Sequence, residues 1–376
     1  MRLPVCDLPF VTVPTPILDP GRVRTNIQRM SEKAHRSSVA FRPHFKTHQS
    51  LEIGRMFRET GIDRIAVSSL RMAKVFASDG WTDILVAFPF NIREWDAVNE
   101  LRSICDLQLL VDHGDTVRFL TDHLDDPLPV WIKVDSGYGR SGVRWNHPEL
   151  TTLARQIVES GNLRLAGLLT HGGHSYHARD VAELRHIAEG NRTRMNRAQH
   201  TLVQAGIPVP VVSVGDTPGC SLSDDFAGVD EIRPGNFVFH DLMQLRLGSC
   251  GENDLAMVLA CPVVGVYPDR NEVVILGGAV HFSKERLSDP EGDVFGLGIH
   301  VDKAGFGGLV PEIRITGLSQ EHGIVRMPED ACRQVRVGDI LTFVPVHSCL
   351  TADQYDHYRT TAGERIDRIN SVSLRG

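Results

Sequence analysis

VAFRPHFK, at residues 39–46, is the first of eight short apolar runs that decide the fold of this chain. Amphipathic segments with helical spacing separate the runs, and the longest, at residues 180–206, ends in glycine. Strands that alternate with helices lie parallel in one sheet, joined by crossover connections. Eight of them in about 200 residues favour a closed (β/α)8 barrel of the TIM type over an open sheet. The other runs are RIAVSS (64–69), DILVAF (83–88), LQLLVD (107–112), VWIKVD (130–135), LAGLLTH (165–171), VPVVSV (209–214) and EIRPG (231–235).

A second, mostly antiparallel β domain is predicted after the barrel. Valine-rich runs follow one another closely there, and turn residues rather than helical patterns separate them. The N-terminal run FVTVPTPIL (10–18) precedes the first helix, so we expect it to pair with this second domain. The predicted division is a barrel at 18–248 and a β domain made of 1–17 plus 249–376. The runs of the β domain are LAMVLACPVVGVY (255–267), EVVILGGAV (272–280), EIRITGLS (312–319) and DILTFVPVHSC (339–349).

The composition of the chain argues against several functional classes. With 376 residues, 41% of them hydrophobic, and a formal net charge of −7, nothing favours nucleic acid or an anionic membrane as a partner. No run approaches the roughly 18 apolar residues of a membrane span. Residues 1–17 lack the uninterrupted apolar core of a signal peptide. Seven scattered cysteines without a CxxC pair predict reduced thiols, so we expect a cytoplasmic protein.

Lys46 ends the first run, between His44 and His48. In a barrel of this type the functional residues lie at the C-terminal ends of the strands. Partial burial there would lower the pKa of the Lys46 amine and make it a nucleophile toward an aldehyde. The alternative is a strand-end lysine whose amine simply reaches solvent. Position alone does not separate the two interpretations.

Two later strand ends could bind a phosphate. VGDTPG (214–219) and RPGNF (233–237) contain glycines that let backbone N–H groups approach an anion, and Ser213 or Thr217 could add a hydroxyl. Tight turns between strand and helix use the same residue types, so plain turns remain an alternative for each. Phosphate sites of TIM-type barrels often follow the seventh and eighth strands, which favours the functional interpretation.

Arg140, His171 and Tyr176 are further candidates at the predicted barrel mouth. Arg140 lies in VDSGYGRSG (134–142), where it could contact an aromatic cofactor or pair structurally with Asp135. His171 and Tyr176 lie in THGGHSY (170–176) and could orient the same cofactor. Each could equally be a satisfied polar residue at the mouth of a barrel.

His347 and Cys349 form a candidate metal pair at the end of the apolar run ILTFVPV. If the strand continued through them, residues i and i+2 would face the same side. Imidazole and thiolate are good zinc ligands, and a site with only two of them leaves positions open for water or substrate. Asp353 and Asp356 are weaker candidates nearby. A chance pair in a β domain is the alternative.

Taken together, these segments resemble the fold-type III pyridoxal-phosphate (PLP) enzymes. The match is to the alanine racemase-like barrel, and specifically to its D-threonine aldolase and D-serine dehydratase branch. It covers nearly the whole chain in the expected order: RPHFKTH, VDSGYGRSG, SVGDTP, EIRPGNFVF and the late HSC. The resemblance implies that Lys46 carries PLP as a Schiff base, that Arg140, His171 and Tyr176 line the cofactor, and that His347 and Cys349 bind a divalent metal. It places on the phosphate side Ser213, Gly215, Thr217, Gly235 and Asn236.

The resemblance also implies an activity. We expect a PLP- and metal-dependent lyase of D-β-hydroxy amino acids, with the metal acting on the substrate hydroxyl as a Lewis acid. Dehydration of D-serine or D-threonine to a 2-oxo acid and ammonia is favoured. Aldol cleavage of D-threonine and action on 3-hydroxyaspartate remain alternatives, followed by a racemase, a non-catalytic PLP-binding protein and a metal-dependent hydrolase. Zinc suits the ligand pair best, with manganese or cobalt as alternatives. Family members are commonly homodimers.

Overall fold

The computed structural model describes residues 3–370, and the chain divides into two compact units. We call residues 29–46 and 54–235 the barrel unit, and residues 3–28, 47–53 and 236–370 the β unit. In this grouping residues 18–28, 47–53 and 236–248, which the sequence assigned to the barrel domain, belong with the β unit. As a statement about independently folding domains, the predicted division stays a prediction.

The regular elements of the described residues range from two-residue strands to a 24-residue α-helix. The strands are β1 (Thr15–Leu18), β2 (Ala40–Phe41), β3 (Arg64–Val67), β4 (Asp83–Pro89), β5 (Asp106–Val111), β6 (Leu128–Asp135), β7 (Val143–Arg144), β8 (Leu163–Leu169), β9 (Val212–Val214), β10 (Glu231–Ile232), β11 (Met257–Tyr267), β12 (Glu272–Leu276), β13 (Leu287–Asp289), β14 (Gly292–Val294), β15 (Gly296–Asp302), β16 (Gly305–Leu318), β17 (His322–Arg326), β18 (Ile340–Pro345), β19 (His357–Thr360) and β20 (Arg365–Asp367). The α-helices are α1 (Pro20–Arg36), α2 (Leu51–Arg58), α3 (Leu70–Ser78), α4 (Trp95–Arg102), α5 (Gly114–His123), α6 (Glu149–Glu159), α7 (Val181–Gln204), α8 (Thr217–Leu222), α9 (Leu242–Arg246), α10 (Ala279–Phe282), α11 (Glu329–Cys332) and α12 (Ser348–Ala352). The 3-10 turns are Ile92–Glu94, Gly173–His177, Asn236–Val238, Glu252–Asp254 and Pro268–Arg270.

Eight parallel strands form the barrel, in the order β2-β10-β9-β8-β6-β5-β4-β3. A bridge between His44 and Ala66 joins the two ends of this series, where the Phe45 N–H donates to the Ala66 carbonyl at 2.9 Å. Each of the eight apolar runs supplies one strand. The predicted barrel is confirmed, and the ring closes next to Lys46.

A continuous chain of polar side chains, all buried except the half-buried Asp83, crosses the barrel interior. Arg42 forms ion pairs with Glu231 and with Asp83, and Glu231 also accepts the Ser213 hydroxyl at 2.6 Å. Since interior polar groups are costly unless paired, these contacts fix which strand faces which. In order, the members are Arg233, Ser213, Glu231, Arg42, Asp83, Gln108 and Trp131.

Helix α7 confirms the longest predicted helix and shows why it has these ends. The Asp180 carboxylate accepts the Glu183 N–H at 2.8 Å, which satisfies a donor that the first turn would otherwise leave unpaired. Gly206, two residues beyond the helix, has a φ of 77° and donates its N–H to the Val203 carbonyl. Glycine is the residue that adopts this left-handed conformation without strain.

The β unit contains a nine-stranded sheet ordered β12-β17-β16-β15-β18-β11-β1-β19-β20. Strand β1 pairs antiparallel with β11 and parallel with β19, so the N-terminal run joins this sheet as predicted. Alternate residues of β11 pack into two different apolar clusters. Leu259 and Cys261 belong to one cluster, and Val258 and Ala260 belong to the other. Burial of both faces explains why β11 is a continuous apolar run rather than an alternating one.

Two general expectations from composition can be compared with the structure. All seven cysteines lie within the described residues, and none forms a disulfide. In residues 3–370 there is no helix long and apolar enough to cross a membrane.

Candidate active site

Lys46 lies just past the bridge that closes the barrel. Its backbone N–H donates to Nδ1 of His44 at 3.3 Å. The preceding Phe45 is fully buried and packs edge-on against the rings of Phe76 and Trp81, which anchors the turn. The Lys46 residue itself is exposed, so the expectation of a partly buried lysine is wrong. The reason is that Lys46 lies in a turn beyond β2, which ends at Phe41.

His171 is the clearest electrostatic feature of the barrel mouth. Its Nδ1 lies 2.6 Å from the carbonyl oxygen of Gly215. Burial lowers the pKa of His171 well below its usual value, and the charges of Lys46, Lys133 and Arg140 lower it further. The charges of Lys46 and Arg140 therefore act on His171 and keep the imidazole neutral, while the role of these residues toward a cofactor remains a prediction.

Lys133 is a functional candidate that the sequence analysis missed. It lies within β6 and is 5% exposed, and burial, followed by the charges of Arg233 and Arg140, lowers its pKa to about 7. A lysine in the middle of the apolar run VWIKVD was the available signal, because a charged residue inside a barrel strand has to be accommodated by the interior.

The loop that carries Arg140 is held by Asp135. The Asp135 carboxylate accepts the N–H groups of Gly137 and Gly139 at 2.9 and 3.0 Å. Burial alone would raise the pKa of Asp135, but these backbone hydrogen bonds lower it overall. Asp135 thus shapes the loop, and the exposed Arg140 guanidinium lies 5.2 Å from the ring centre of Tyr138.

The predicted phosphate residues in and after β9 have contacts within the protein. Ser213 is fully buried, donates to Glu231 and accepts from Arg233, so its hydroxyl takes part in the interior polar chain. A Cβ on Gly215 would approach the Arg233 backbone and Cβ to 3.0 Å, which explains the glycine by packing. Thr217 begins the short helix α8 and is 1% exposed. Their role toward a phosphate remains a prediction.

Asp216, between these residues, was not singled out from the sequence. Its carboxylate accepts the Gly219 N–H at 2.6 Å and the Ser175 hydroxyl at 2.9 Å. It therefore ties α8 to the 3-10 turn Gly173–His177, which carries the half-buried Tyr176. Burial raises the pKa of Asp216 to about 6.

In the β unit, His347 and Cys349 are close together, but not on one strand. Strand β18 ends at Pro345, and Cys349 lies in the first turn of α12. The strand geometry inferred from the sequence is therefore wrong, because the turn and the helix replace the expected extended backbone. A hydrogen bond between the two side chains outweighs burial, which alone would lower the pKa of His347, and raises it to about 9.

Asn236 belongs to this second cluster. Its amide nitrogen lies 2.7 Å from the Asp241 carboxylate, 3.0 Å from the Ser348 hydroxyl and 3.5 Å from the Cys349 sulfur. The side chain of Asn236 thus contacts the predicted metal pair, whereas Gly235, the last residue of the barrel unit, is buried within it. The phosphate-side assignment of Gly235 and Asn236 stays a prediction, and the structure gives the Asn236 amide other partners.

The weaker metal candidates have other contacts. The Asp353 carboxylate pairs with Arg368 at 2.9 Å and accepts from Gln49 at 3.0 Å. The Asp356 carbonyl accepts the Arg368 N–H at 2.9 Å. In residues 3–370 no group of three or more histidine, cysteine, aspartate or glutamate side chains could hold a metal ion. Among these described residues, the predicted pair of His347 and Cys349 therefore has no third protein donor of this kind.

The residues present fit both groups that the resemblance implies. In the barrel unit, the charges of Lys46, Lys133 and Arg140 converge on His171, an arrangement that suits an anionic cofactor. In the β unit, imidazole and thiol are in contact, and this donor pair suits a borderline-soft divalent metal. The amide oxygen of Asn236, a residue whose nitrogen contacts Cys349, is buried without a hydrogen-bond partner in residues 3–370, so a bound group that donates a hydrogen bond would find an acceptor there.

Comparison with protein families covers both halves of the chain. The model of the alanine racemase N-terminal domain matches residues 18–242, and that of a serine dehydratase domain matches residues 256–361. The D-threo-3-hydroxyaspartate dehydratase of Delftia sp. strain HT23 is 32% identical over 366 residues, covering 94% of this chain and 96% of that enzyme. A D-serine dehydratase of Dictyostelium discoideum is 29% identical over 381 residues, covering 94% of each.

Solved structures agree with this. The Delftia dehydratase superposes with a TM-score of 0.87 at 31% identity, over 96% of this chain and 98% of that one. Two variants of it, in which a cysteine or a histidine is replaced by alanine, superpose at 0.88, and the cysteine variant is described as metal-free. D-threonine aldolase of Filomicrobium marinum, at 22% identity, shares the fold with a TM-score of 0.82 over 98% of this chain and 96% of that one. The chain therefore belongs to the fold-type III family of PLP-dependent lyases, in which an alanine racemase-type barrel is followed by a serine dehydratase domain.

Proposed function

We propose that this protein is a PLP- and divalent-metal-dependent dehydratase that converts D-serine or D-threonine into a 2-oxo acid and ammonia. The contact of His347 with Cys349 carries the proposal, because an imidazole and a thiol in contact could bind the metal that would act on the substrate hydroxyl. Similarity to two dehydratases over 94% of the chain supports it. Two variants of D-threo-3-hydroxyaspartate dehydratase support it as well. A histidine is replaced in one and a cysteine in the other, and the cysteine variant is in a metal-free form.

The residues of the barrel unit would hold the cofactor and move one proton. When bound, PLP supplies an electron sink for the α-carbon of an amino acid. Lys46 is the amine that would bind PLP covalently and take the α-proton. His171 stays neutral beside it, so it adds no positive charge to a mouth that already contains Lys46, Lys133 and Arg140.

The residues of the β unit would act on the leaving group. His347 and Cys349 would hold the metal, which as a Lewis acid helps the β-hydroxyl depart. Zinc is the metal we propose, since an imidazole and a thiolate suit it, with manganese or cobalt as alternatives. A thiolate is a soft ligand, which cations that prefer oxygen ligands bind weakly.

Two related reactions are the principal alternatives. The Delftia relative supports 3-hydroxyaspartate as a substrate, and the fold of D-threonine aldolase is compatible with cleavage of the Cα–Cβ bond. The same metal position would serve all three reactions, because each substrate carries a β-hydroxyl. A racemase would need no metal pair, and a non-catalytic PLP-binding protein would need no β unit.

The cofactor assignment is tested by absorbance. Purified protein should show a visible chromophore that borohydride removes, and Lys46→Ala should lack it. Lys303→Ala, an exposed lysine of the β unit, is the matched control and should keep it. A reducible chromophore retained in Lys46→Ala would contradict the assignment.

The reaction is tested by its products. We would incubate the protein with D-serine, D-threonine and D-threo-3-hydroxyaspartate, with and without a chelator. Ammonia with a 2-oxo acid identifies a dehydratase, whereas glycine with acetaldehyde identifies an aldolase. Cys349→Ala should behave like chelated protein and Cys105→Ala like wild type. Activity that survives thorough chelation would contradict the role of the metal pair.

The proposal also covers the location, oligomeric state and partners of the enzyme. We propose a cytoplasmic homodimer that acts on a small D-amino acid and binds neither nucleic acid nor membrane. The net charge of −7 and the family resemblance support this. Light scattering after size exclusion tests the dimer, and a monomer at assay concentrations would contradict it.

A further inference from the structure

We propose that Asp241, acting through Asn236 and Ser348, is the positioning residue of the metal pair, and that Thr47 and Asn236 hold the Cys349 sulfur as a thiolate by donating hydrogen bonds to it. The inference rests on the proposed function, because it assumes that His347 and Cys349 bind a metal. It concerns residues that the sequence analysis either did not single out or assigned to the phosphate.

Asp241 is buried, at 1% exposure, and its two carboxylate oxygens are fully engaged. Oδ2 accepts from the Asn236 amide at 2.7 Å, from the Ser348 N–H at 2.9 Å and from the Ser348 hydroxyl at 3.2 Å. Oδ1 accepts the Gln244 N–H at 2.9 Å and so caps α9. A carboxylate this deep is stable only when donors surround it, and here they come from Gln244, from Asn236 beside Cys349, and from Ser348 between the two metal-pair residues.

Contact with Asp241 decides the orientation of the Asn236 amide. An ionised carboxylate only accepts, so the atom of Asn236 that faces it has to be the NH2 group. The same nitrogen then lies 3.5 Å from the Cys349 sulfur and can donate to it. With the nitrogen on this side, the amide oxygen lies on the other, where no described residue provides a donor.

Thr47 contacts the sulfur as well. Its hydroxyl oxygen lies 3.1 Å from Cys349 Sγ, and the residue is fully buried. A metal-bound thiolate has no proton to give, so Thr47 would have to donate. Two donated hydrogen bonds stabilise the negative sulfur and fix its direction, as partners of metal ligands generally do. Ser348, between the two ligands, is held at both its N–H and its hydroxyl by Asp241.

The test measures zinc affinity of PLP-loaded protein freed of metal, by competition with a chromophoric chelator. Asp241→Asn should bind zinc about 10–100-fold more weakly than wild type. Asp254→Asn, a carboxylate of the same unit that accepts from Gly251 in a turn, is the matched control and should bind like wild type. Circular dichroism and thermal unfolding show whether each variant is folded.

Thr47 gives a comparison that does not depend on whether Asp241→Asn folds. Thr47→Val keeps the shape and removes the hydroxyl, whereas Thr47→Ser keeps the hydroxyl. We expect weaker zinc binding, and a shifted sulfur-to-metal absorption band after cobalt substitution, in Thr47→Val and recovery of both in Thr47→Ser. Zinc affinity and cobalt spectrum unchanged in Thr47→Val would overturn the inference. If Cys349→Ala binds zinc as tightly as wild type, the proposed function fails instead.

Discussion

The imidazole Nδ1 of His171 lies 2.6 Å from the carbonyl oxygen of Gly215, so the main chain after β9 determines the state of a side chain that follows β8. A carbonyl oxygen only accepts, and therefore Nδ1 carries the proton. The pKa of His171 is lowered by burial and by the charges of Lys46, Lys133 and Arg140. The imidazole is neutral and presents the lone pair of Nε2.

We therefore predict that His171 keeps one tautomer across the range in which histidine usually titrates. Protein labelled with nitrogen-15 at histidine should show a protonated Nδ1 and an unprotonated Nε2 for this residue from pH 8 down to pH 6. His171→Gln, compared in parallel, identifies the signal. A ring that gains a second proton near pH 6.5 would contradict the prediction.

Lys133 should leave a signature in the pH dependence of stability. Its pKa is about 7 in the folded barrel, mainly because of burial, against about 10.4 in an unfolded chain. Between these values the unfolded chain binds a proton that the folded chain has lost, so the free energy of unfolding rises with pH. Below pH 7 both states are protonated, and the cost of burying the charge is present in full.

Lys133→Met should therefore be more stable than wild type below pH 7, and this gain should shrink as pH rises from 7 to 10. The difference should change by at most about 1.4 kcal/mol per pH unit. Urea unfolding at several pH values measures it, with the exposed Lys303→Met as control. A difference that does not vary with pH would show that Lys133 titrates normally.

The buried ion pair of Arg42 and Glu231 should be costly to break. Both side chains are 3% exposed, and their atoms approach to 2.8 Å. Glu231→Gln should lower the free energy of unfolding by about 3 kcal/mol, because it leaves Arg42 with Asp83 alone. Breaking the exposed pair of Arg333 with Glu329, by Arg333→Met, should cost less than about 1 kcal/mol. Equal losses in the two variants would contradict this account of the barrel interior.

Gly167 should tolerate no side chain. A Cβ there would lie 2.3 Å from the Val211 carbonyl oxygen and 2.7 Å from the Trp131 ring. Trp131 lies in the neighbouring strand β6, and Val211 directly precedes β9. We predict that Gly167→Ala loses about 3 kcal/mol of unfolding free energy, since a packed barrel interior cannot yield. At Gly251 the nearest atom to an added Cβ is 3.7 Å away, so Gly251→Ala should change stability little. Denaturant unfolding of both variants tests the contrast.

Much of the fold could be predicted because the local spacing of apolar residues indicates which segments form strands and which form helices. Eight apolar runs separated by helical patterns become eight parallel strands, and the long pattern at 180–206 becomes α7 with its Asp180 cap. The change to closely spaced valine-rich runs after residue 250 predicts the antiparallel sheet. Short-range patterns suffice here because helix and strand periods differ and do not depend on distant partners.

The sequence by itself also predicted the candidate segments of each unit, in their order along the chain from Lys46 to Cys349. Tertiary structure decided what individual side chains do there. Lys46 is exposed, whereas Lys133 is buried, and burial, followed by the charges of Arg233 and Arg140 from other parts of the barrel, lowers its pKa to about 7. The Asn236 amide contacts Cys349 only because a helix that begins over 100 residues later brings Ser348 and Cys349 beside it. Hydrogen bonds and charges act over a few ångströms in space, and the partners that set them are far apart along the chain.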